Sequence, residues 1–411
     1  MGSVPIFLMT IDFRPEDPAF LADPFPLYAR MRDEDPCHWS PRLKSWVLTR
    51  YDDVKRACTG QELSSDRLRP FFATLPGVEA GRIESLARYL SLWMVFRDPP
   101  DHTRLRRLAS RVFNVQAMRS MRSTVGSVAE HLLEKIEGRN TFDFIAEFAG
   151  PLPALVIMQM LGVPRADLAR VKRLSDDIAL FIGSSRGAPE KYASAEAATR
   201  EMAEFFRALI SERRLAPRAD LLSELVHLRE EGDRLSEDEL LATGILLLFA
   251  GHETTTNHLA NGLLALLRFP AELRKLRSNP ALAPRAVEEL LRYDGPTGPQ
   301  GRVVRMQHEL HGRTLKPGER VFLMMNAANR DPRAYDEPDR LDLERDGVPH
   351  LAFGFGPHLC LGFPLARLEG EVSLPMLLGR FGRIELAAEP QWQDSFVFRG
   401  MRSMPLQVVR G

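Results

Sequence analysis

Phe353-Gly354-Phe355-Gly356-Pro357-His358-Leu359-Cys360-Leu361-Gly362 sets one cysteine in a glycine-punctuated loop just ahead of a helical pattern. Gly354 and Gly356 are free to take positive φ and to bring backbone close to a bulky ligand, where a Cβ would resist. A thiolate held in such a loop can serve as an axial ligand to haem iron, and that ligation favours O–O cleavage. A buried structural cysteine is the other reading of the loop taken alone.

Upstream lies the longest helical pattern. It begins near Leu235, where Ser236 and Glu239 form a capping box with Asp238 favourably placed beside it. Phe269-Pro270 stops it after Arg268. That is roughly 30 residues, or about 45 Å. Leu240 to Ala250 is apolar on nearly every face, which predicts a helix through the middle of the molecule. The apolar run falls short of the ~20 residues that span a bilayer.

The centre of this helix, Ala250-Gly251-His252-Glu253-Thr254-Thr255-Thr256, is poor helix material. Glycine costs about 1 kcal/mol relative to alanine, and the three threonines are β-branched. Ala250 and Gly251 would leave space for a flat cofactor and a diatomic ligand. Thr254 is placed to bond the Ala250 carbonyl and so open or bend the helix, and Glu253 to feed protons from solvent. A packing irregularity in a buried helix is the bland alternative. His252-Glu253 opens like a zinc-hydrolase signature, but Thr256 stands where the second histidine belongs. His258 falls about 240° around the helix, so that enzyme class is excluded.

The Phe, Gly, Cys and Gly spacing of the loop resembles the haem-binding loop of the cytochrome P450 family of haem-thiolate monooxygenases. Four constellations occur in that family's order: His102/Arg106, Glu253/Thr254, Glu289/Arg292 with Arg340, and Cys360. The resemblance runs from about Asp98 to Gly362. It implies a mainly α fold with small β-sheets, with a helical core around the haem, a long central helix and a minor β-rich lobe. Residues 1–411 would form a single haem domain.

The resemblance also implies roles. Cys360 would ligate the iron of haem b, with Phe353, Gly354, Gly362, Ala250 and Gly251 against the cofactor. His102, Arg106, Arg302 and His358 would hold the propionates. Glu253 and Thr254 would be the acid–alcohol pair that passes protons to dioxygen. Glu289, Arg292 and Arg340 would form a structural network, although Leu341 stands where many relatives have Phe. The substrate pocket would take in Val95, Leu246, Phe249, Ala250, Thr254, Phe396 and Val397, with further lining from Leu90 to Phe96 and Gly298 to Gly301.

Composition sets the remaining limits. The apolar fraction of 44% and charged fraction of 27% are those of a soluble globular chain. Fifty-five basic residues balance 55 acidic ones, so no bulk charge draws nucleic acid or an anionic membrane. Cys37, Cys58 and Cys360 are no disulfide framework and suit a reducing cytosol. Cys37 and Cys58 have no motif around them, and neither His131 nor His227 has a ligand-spaced partner. The Val4 to Met9 run lacks a basic n-region and is too short for a signal peptide or membrane anchor. The expectation is a cytoplasmic monomer of the soluble bacterial type.

Trp46 to Thr49 and Val321 to Met325 read as strands, the second after a type II turn at Lys316-Pro317-Gly318-Glu319, and Ser395 to Phe398 as a final hairpin. With no flavin or nicotinamide segment in view, electrons would come from a ferredoxin or flavodoxin and its NAD(P)H reductase, docked on Arg104, Arg107 and Arg111. O2 and an apolar terpenoid, steroid, fatty acid or polyketide would be the reactants, for C–H hydroxylation or epoxidation. A peroxygenase on the same fold is disfavoured by the retained Glu253 and Thr254. A haem sensor or ligand carrier has little use for a proton relay.

Overall fold

The computed structural model describes residues 11–77, 81–183, 190–228 and 232–410, so the amino-terminal reading at Met1 to Thr10 lies outside the described residues. Six helices place the site: α1 (Asp101–Val112), α2 (Pro151–Leu161), α3 (Leu168–Ile182), α4 (Glu237–Arg268), α5 (Ala283–Tyr293) and α6 (Phe363–Arg380).

α4 is the long central helix. Its start is fixed by a reciprocal cap: the Glu239 N–H donates to Ser236 Oγ at 3.3 Å, and the Ser236 N–H donates to Glu239 Oε2 at 2.9 Å. It runs for 32 residues, about 48 Å at 1.5 Å per residue. Pro270 ends it and opens the next helix, Pro270–Ser278. Every residue from Leu240 to Phe249 is buried, so this stretch is covered on all sides. α2, α5 and α6 all pack on α4, and the main core gathers buried side chains from Leu68 to Val408 around it.

A smaller β lobe flanks this body. Strands β1 (Cys37–Ser40), β2 (Ser45–Leu48), β3 (Leu63–Ser64), β4 (Pro299–Val304) and β5 (Arg320–Met324) form a sheet in the order β1-β2-β5-β4-β3. β2 and β5 are parallel, with Trp46 beside Val321, and the other pairs are antiparallel. Trp46, Leu48, Tyr51 and Leu323 give the lobe its own apolar cluster. Gly318 takes φ +87° and the Glu319 N–H reaches the Lys316 carbonyl at 3.1 Å, as a type II turn requires.

The last hairpin turns where the sequence placed it, with its paired strands lying to either side of Ser395 to Phe398. β6 (Gln391–Trp392) pairs with β7 (Met401–Ser403), and residues 395–398 form the connection. There the Phe398 N–H donates to Ser395 Oγ at 3.0 Å. That local bond offers the backbone an alternative to a strand ladder. Among the described residues, no helix is long and apolar enough to cross a membrane.

Candidate active site

The Cys360 loop is held by its own backbone and by Asn329. Asn329 Oδ1 accepts the Leu351 N–H at 2.7 Å. The Gly354 N–H donates to the Leu351 carbonyl at 2.8 Å, and the Cys360 N–H to the Phe353 carbonyl at 2.9 Å. Gly354 and Gly356 adopt φ of +74° and +71°, and a Cβ on Gly356 would stand 2.6 Å from Thr59 Cγ2. The chain then enters α6. Burial pushes the Cys360 thiol up, while the Gly362 N–H, Arg106 and the Phe363 N–H favour the thiolate.

Cys360 is exposed, and what it faces is a cavity between the cysteine loop and α4. Phe113, Ala352, Phe353 and Gly362 line it beside the cysteine, and Leu246, Ala250, Gly251, Thr254 and Thr255 line it from α4. Thr254 Oγ1–H donates to the Ala250 carbonyl at 3.3 Å, yet α4 continues without a break. Gly251 serves packing more than open space. An added Cβ would lie 2.7 Å from Ile157 Cγ1, so the glycine lets α2 close against α4.

One edge of the cavity is a cationic cradle. His102 and Arg106 line it from one face of α1, and His358 joins them from the cysteine loop, its ring 4.0 Å from that of His102. His102 Nδ1 is buried without a partner. Burial, then the neighbouring His102 and Arg302, push His358 down to about 3, so its imidazole is neutral. Arg302 stands one contact behind the lining: its Nη2 donates to Gln300 Oε1 at 3.3 Å and its Nη1 to the Gly301 carbonyl at 2.9 Å. It is 6% exposed, and among the described residues no carboxylate pairs with it. Asp98, the nearest acid felt there, is bound to Ser64 Oγ and the Ser65 N–H. Buried cations and an orphaned imidazole nitrogen call for an anion. The two propionates of a haem would fit that demand, and Cys360 would offer a soft thiolate donor to its iron.

Glu253 lies outside the lining, on the flank of α4 toward α3. Burial pushes its carboxyl up, and Gln393 Nε2 donates to it at 3.4 Å. Donor atoms of Glu253, His252 and Asp176 lie within 4.8 Å of one another. Asp176 is exposed, which gives Glu253 a neighbour open to solvent.

Several expected positions are corrected. Arg340 is not the third member of the Glu289–Arg292 network. Arg292 binds Glu289 through two hydrogen bonds of 2.7 and 2.8 Å, and Arg345 Nε adds a third at 3.1 Å. Arg340 points outward to Glu337 and contributes its carbonyl to Arg292 and Arg345. Phe249 packs between Trp93 and Phe398 and does not line the cavity. Phe396 packs on Phe13 and Phe322, and neither it nor Val397 reaches the lining. Val95, Met94 and Gln300 do line it, whereas Gly354 does not. Arg104 and Arg107 are engaged inside the molecule with Asp233, and Arg104 with Glu239 as well, which weakens their reading as a docking surface.

Two lining residues went unnoticed in the sequence. Glu369 and His258 both reach the cavity, fully buried; Thr255 is the hydroxyl beside the Glu369 carboxyl, and among the described residues neither His258 nitrogen has a hydrogen-bond partner. A lone carboxylate in the apolar run Leu365, Leu368 and Leu374 was the available signal for Glu369. His258 was considered as a partner of His252; the two face different sides of α4, and His258 has the cavity side.

The cytochrome P450 family model matches residues 39–396. The polyketide biosynthesis cytochrome P450 PksS of Bacillus subtilis is 35% identical, over 97% of this chain and 99% of its own. The 6-deoxyerythronolide B hydroxylase of Saccharopolyspora erythraea is also 35% identical, over 96% and 98%. Among solved structures, P450BioI in complex with an acyl carrier protein ligated to hexadec-9Z-enoic acid superposes with a TM-score of 0.89 at 34% identity, covering 95% of this chain and 99% of that one. With a cysteine loop, a cationic cradle and a long central helix around one cavity, the chain belongs to the cytochrome P450 family and is a monooxygenase of that family.

Proposed function

We propose that this enzyme uses haem b to hydroxylate an apolar substrate of the polyketide or long-chain acyl class. Cys360 and the Ala250–Thr254 stretch of α4 border one cavity, and that observation carries the reading. The named relatives act in polyketide biosynthesis, hydroxylate 6-deoxyerythronolide B, or bind an acyl carrier protein bearing a C16 chain, which supports the substrate class. Met94, Val95, Leu246 and Leu247 give the pocket an apolar wall.

Haem, when bound, supplies the oxidising chemistry, and the protein supplies binding, orientation and protons. Cys360 would hold the iron as thiolate, with the Gly362 and Phe363 N–H groups steadying its charge. His102, Arg106 and His358 would hold the propionates, with Arg302 adding positive charge from behind Gln300. Glu253, its carboxyl raised by burial, retains a proton at higher pH than a surface glutamate and passes it toward the Thr254 hydroxyl. Thr254 donates onward into the cavity when it releases the Ala250 carbonyl.

The main core gathers side chains from Leu68 to Val408 around this site, which supports a single catalytic domain, and we take the enzyme to work in the cytoplasm. Its electrons come from a separate ferredoxin or flavodoxin with an NAD(P)H reductase. The test is an optical titration of the ferric holoprotein with fatty acids, acyl carrier protein-bound acyl chains and macrolactones, followed by turnover with O2 and a surrogate redox pair. A saturable low-to-high-spin shift with one class, and a hydroxylated product, support the reading. A haem-loaded protein that binds these ligands and never turns them over refutes it.

A further inference from the structure

His252 is 2% exposed, and its Nε2 has no partner. Its other nitrogen, Nδ1, lies 3.0 Å from the Leu248 carbonyl. A carbonyl only accepts, so Nδ1 carries the hydrogen and Nε2 presents a lone pair. Burial keeps this imidazole neutral. Around this ring the structure sets two further acceptors, since a ring nitrogen of His252 and carboxylate oxygens of Asp176 and Glu253 all lie within 4.8 Å of one another. Two carboxylates and an imidazole lone pair repel unless a proton or a cation lies between them.

We propose that Asp176, His252 and Glu253 form a binding site for a divalent transition-metal ion of the zinc type, and that its occupancy withdraws Glu253 from proton traffic. The inference rests on the proton role given to Glu253 above, while the binding of the ion does not.

The donor chemistry selects the ion. A histidine ligand characteristically donates its second N–H to a carbonyl or carboxylate, which fixes the ring and raises its basicity. The Leu248 carbonyl does this for His252. One imidazole with two carboxylates suits zinc and its neighbours, whereas magnesium and calcium prefer oxygen alone. Ligands about 2.0–2.2 Å from zinc stand closer together than 4.8 Å, so the site must contract. Asp176, exposed on α3, is the arm with freedom to do so, while His252 and Glu253 are adjacent on α4. Three protein ligands leave a position for water, as in open zinc sites. Lys172, one turn before Asp176, is felt by all three groups and is the built-in competitor for the ion.

The experiment titrates metal-stripped holoprotein with Zn2+ against a chromophoric chelator. The wild type, Asp176→Asn, His252→Gln and Lys172→Met are compared. One equivalent should bind in the micromolar range or tighter. Affinity should fall at least tenfold in the Asp176 and His252 variants and rise in the Lys172 variant. Asp176 is exposed, so its variant is informative even if His252→Gln folds poorly. Absence of such binding, or equal binding in Asp176→Asn, overturns the site. Turnover is then followed with and without Zn2+. Slowing that a chelator reverses, and that is lost in Asp176→Asn, supports the regulatory role. Zinc bound at these residues with turnover unchanged leaves the site standing and overturns the proton role of Glu253.

Discussion

Arg345 Nε donates to Glu289 Oε1 at 3.1 Å, completing a network in which Arg292 already grips both oxygens of the same carboxylate. Arg292 also bonds the Asn329, Pro338 and Arg340 carbonyls, and Arg345 the Asp336, Glu337 and Arg340 carbonyls. The network therefore ties α5 to the segment that leads into the Leu351 anchor of the cysteine loop.

Glu289→Ala leaves two guanidinium groups facing each other and should cost about 3–5 kcal/mol. Arg345→Ala should cost less, because Arg345 is partly exposed, at 13% for its side chain. Arg340→Ala removes a side chain 57% exposed and should stay within about 0.5 kcal/mol of wild type. Urea unfolding midpoints of the three variants check this order. A loss at Arg340 equal to that at Arg345 would restore the sequence-based assignment.

The misassignment of Arg340 shows where sequence reading stops. Arg340 and Arg345 are five residues apart in a segment without regular structure, and nothing in their spacing says which guanidinium turns inward. The central helix, by contrast, was legible to its ends, because Ser236/Glu239 and Phe269-Pro270 act locally. The cysteine loop was legible for a similar reason: its two positive-φ glycines are a backbone requirement. Phe249 and Phe396 were misplaced because an apolar residue beside a cavity and one turned into the core have the same pattern. Glu369 was missed because the hydroxyl beside it, on Thr255, comes from α4, more than a hundred residues upstream.

Arg302 should act with opposite signs on the two states of the protein. As a buried cation without a carboxylate, it costs stability in the cofactor-free chain. Arg302→Leu should therefore raise the unfolding midpoint of the haem-free protein. In the holoprotein it removes a charge-assisted hydrogen bond worth about 1.5–3 kcal/mol. Haem transfer to an excess of a haem-scavenging apoprotein should speed up roughly 10- to 100-fold. A variant that loses stability in both states would place Arg302 in packing alone.

Glu253→Gln and Thr254→Ala should both reduce oxygen-dependent product formation, by about 100-fold for loss of a positioned proton donor. They should differ in coupling. Thr254→Ala should continue to consume NAD(P)H and release peroxide, while Glu253→Gln should slow consumption itself. Product, peroxide and NAD(P)H are measured in one assay. Full coupling in Thr254→Ala would remove it from the relay.

Glu369 makes a prediction about pH. Burial raises its carboxyl well above the ordinary glutamate range, so the folded chain keeps a proton that the unfolded chain loses above about pH 4.3. Folding then takes up a proton, and this residue lowers stability as pH rises from there toward its folded value, by about 1.4 kcal/mol per unit. Glu369→Gln keeps the shape and removes the titration. Its advantage over wild type should be near zero at pH 4 and grow through neutrality. A constant difference across that range would mean that Glu369 is ionised in the fold and has a cationic partner.

Gly251 tests the close approach of α2 and α4. In an exposed helix, Gly→Ala gains about 1 kcal/mol from propensity. Here the new methyl would stand 2.7 Å from Ile157 Cγ1 and 3.1 Å from its Cβ, atoms near the backbone that cannot swing away. Overpacking costs about 1–3 kcal/mol, so Gly251→Ala should be net destabilising. Ile157→Ala alone should cost about 2–5 kcal/mol as a cavity. The double variant should lose less than the sum, because the new methyl occupies space that the isoleucine vacates. Additive losses would show that α2 shifts freely along α4, and that the glycine is there for the cavity rather than for the helix pair.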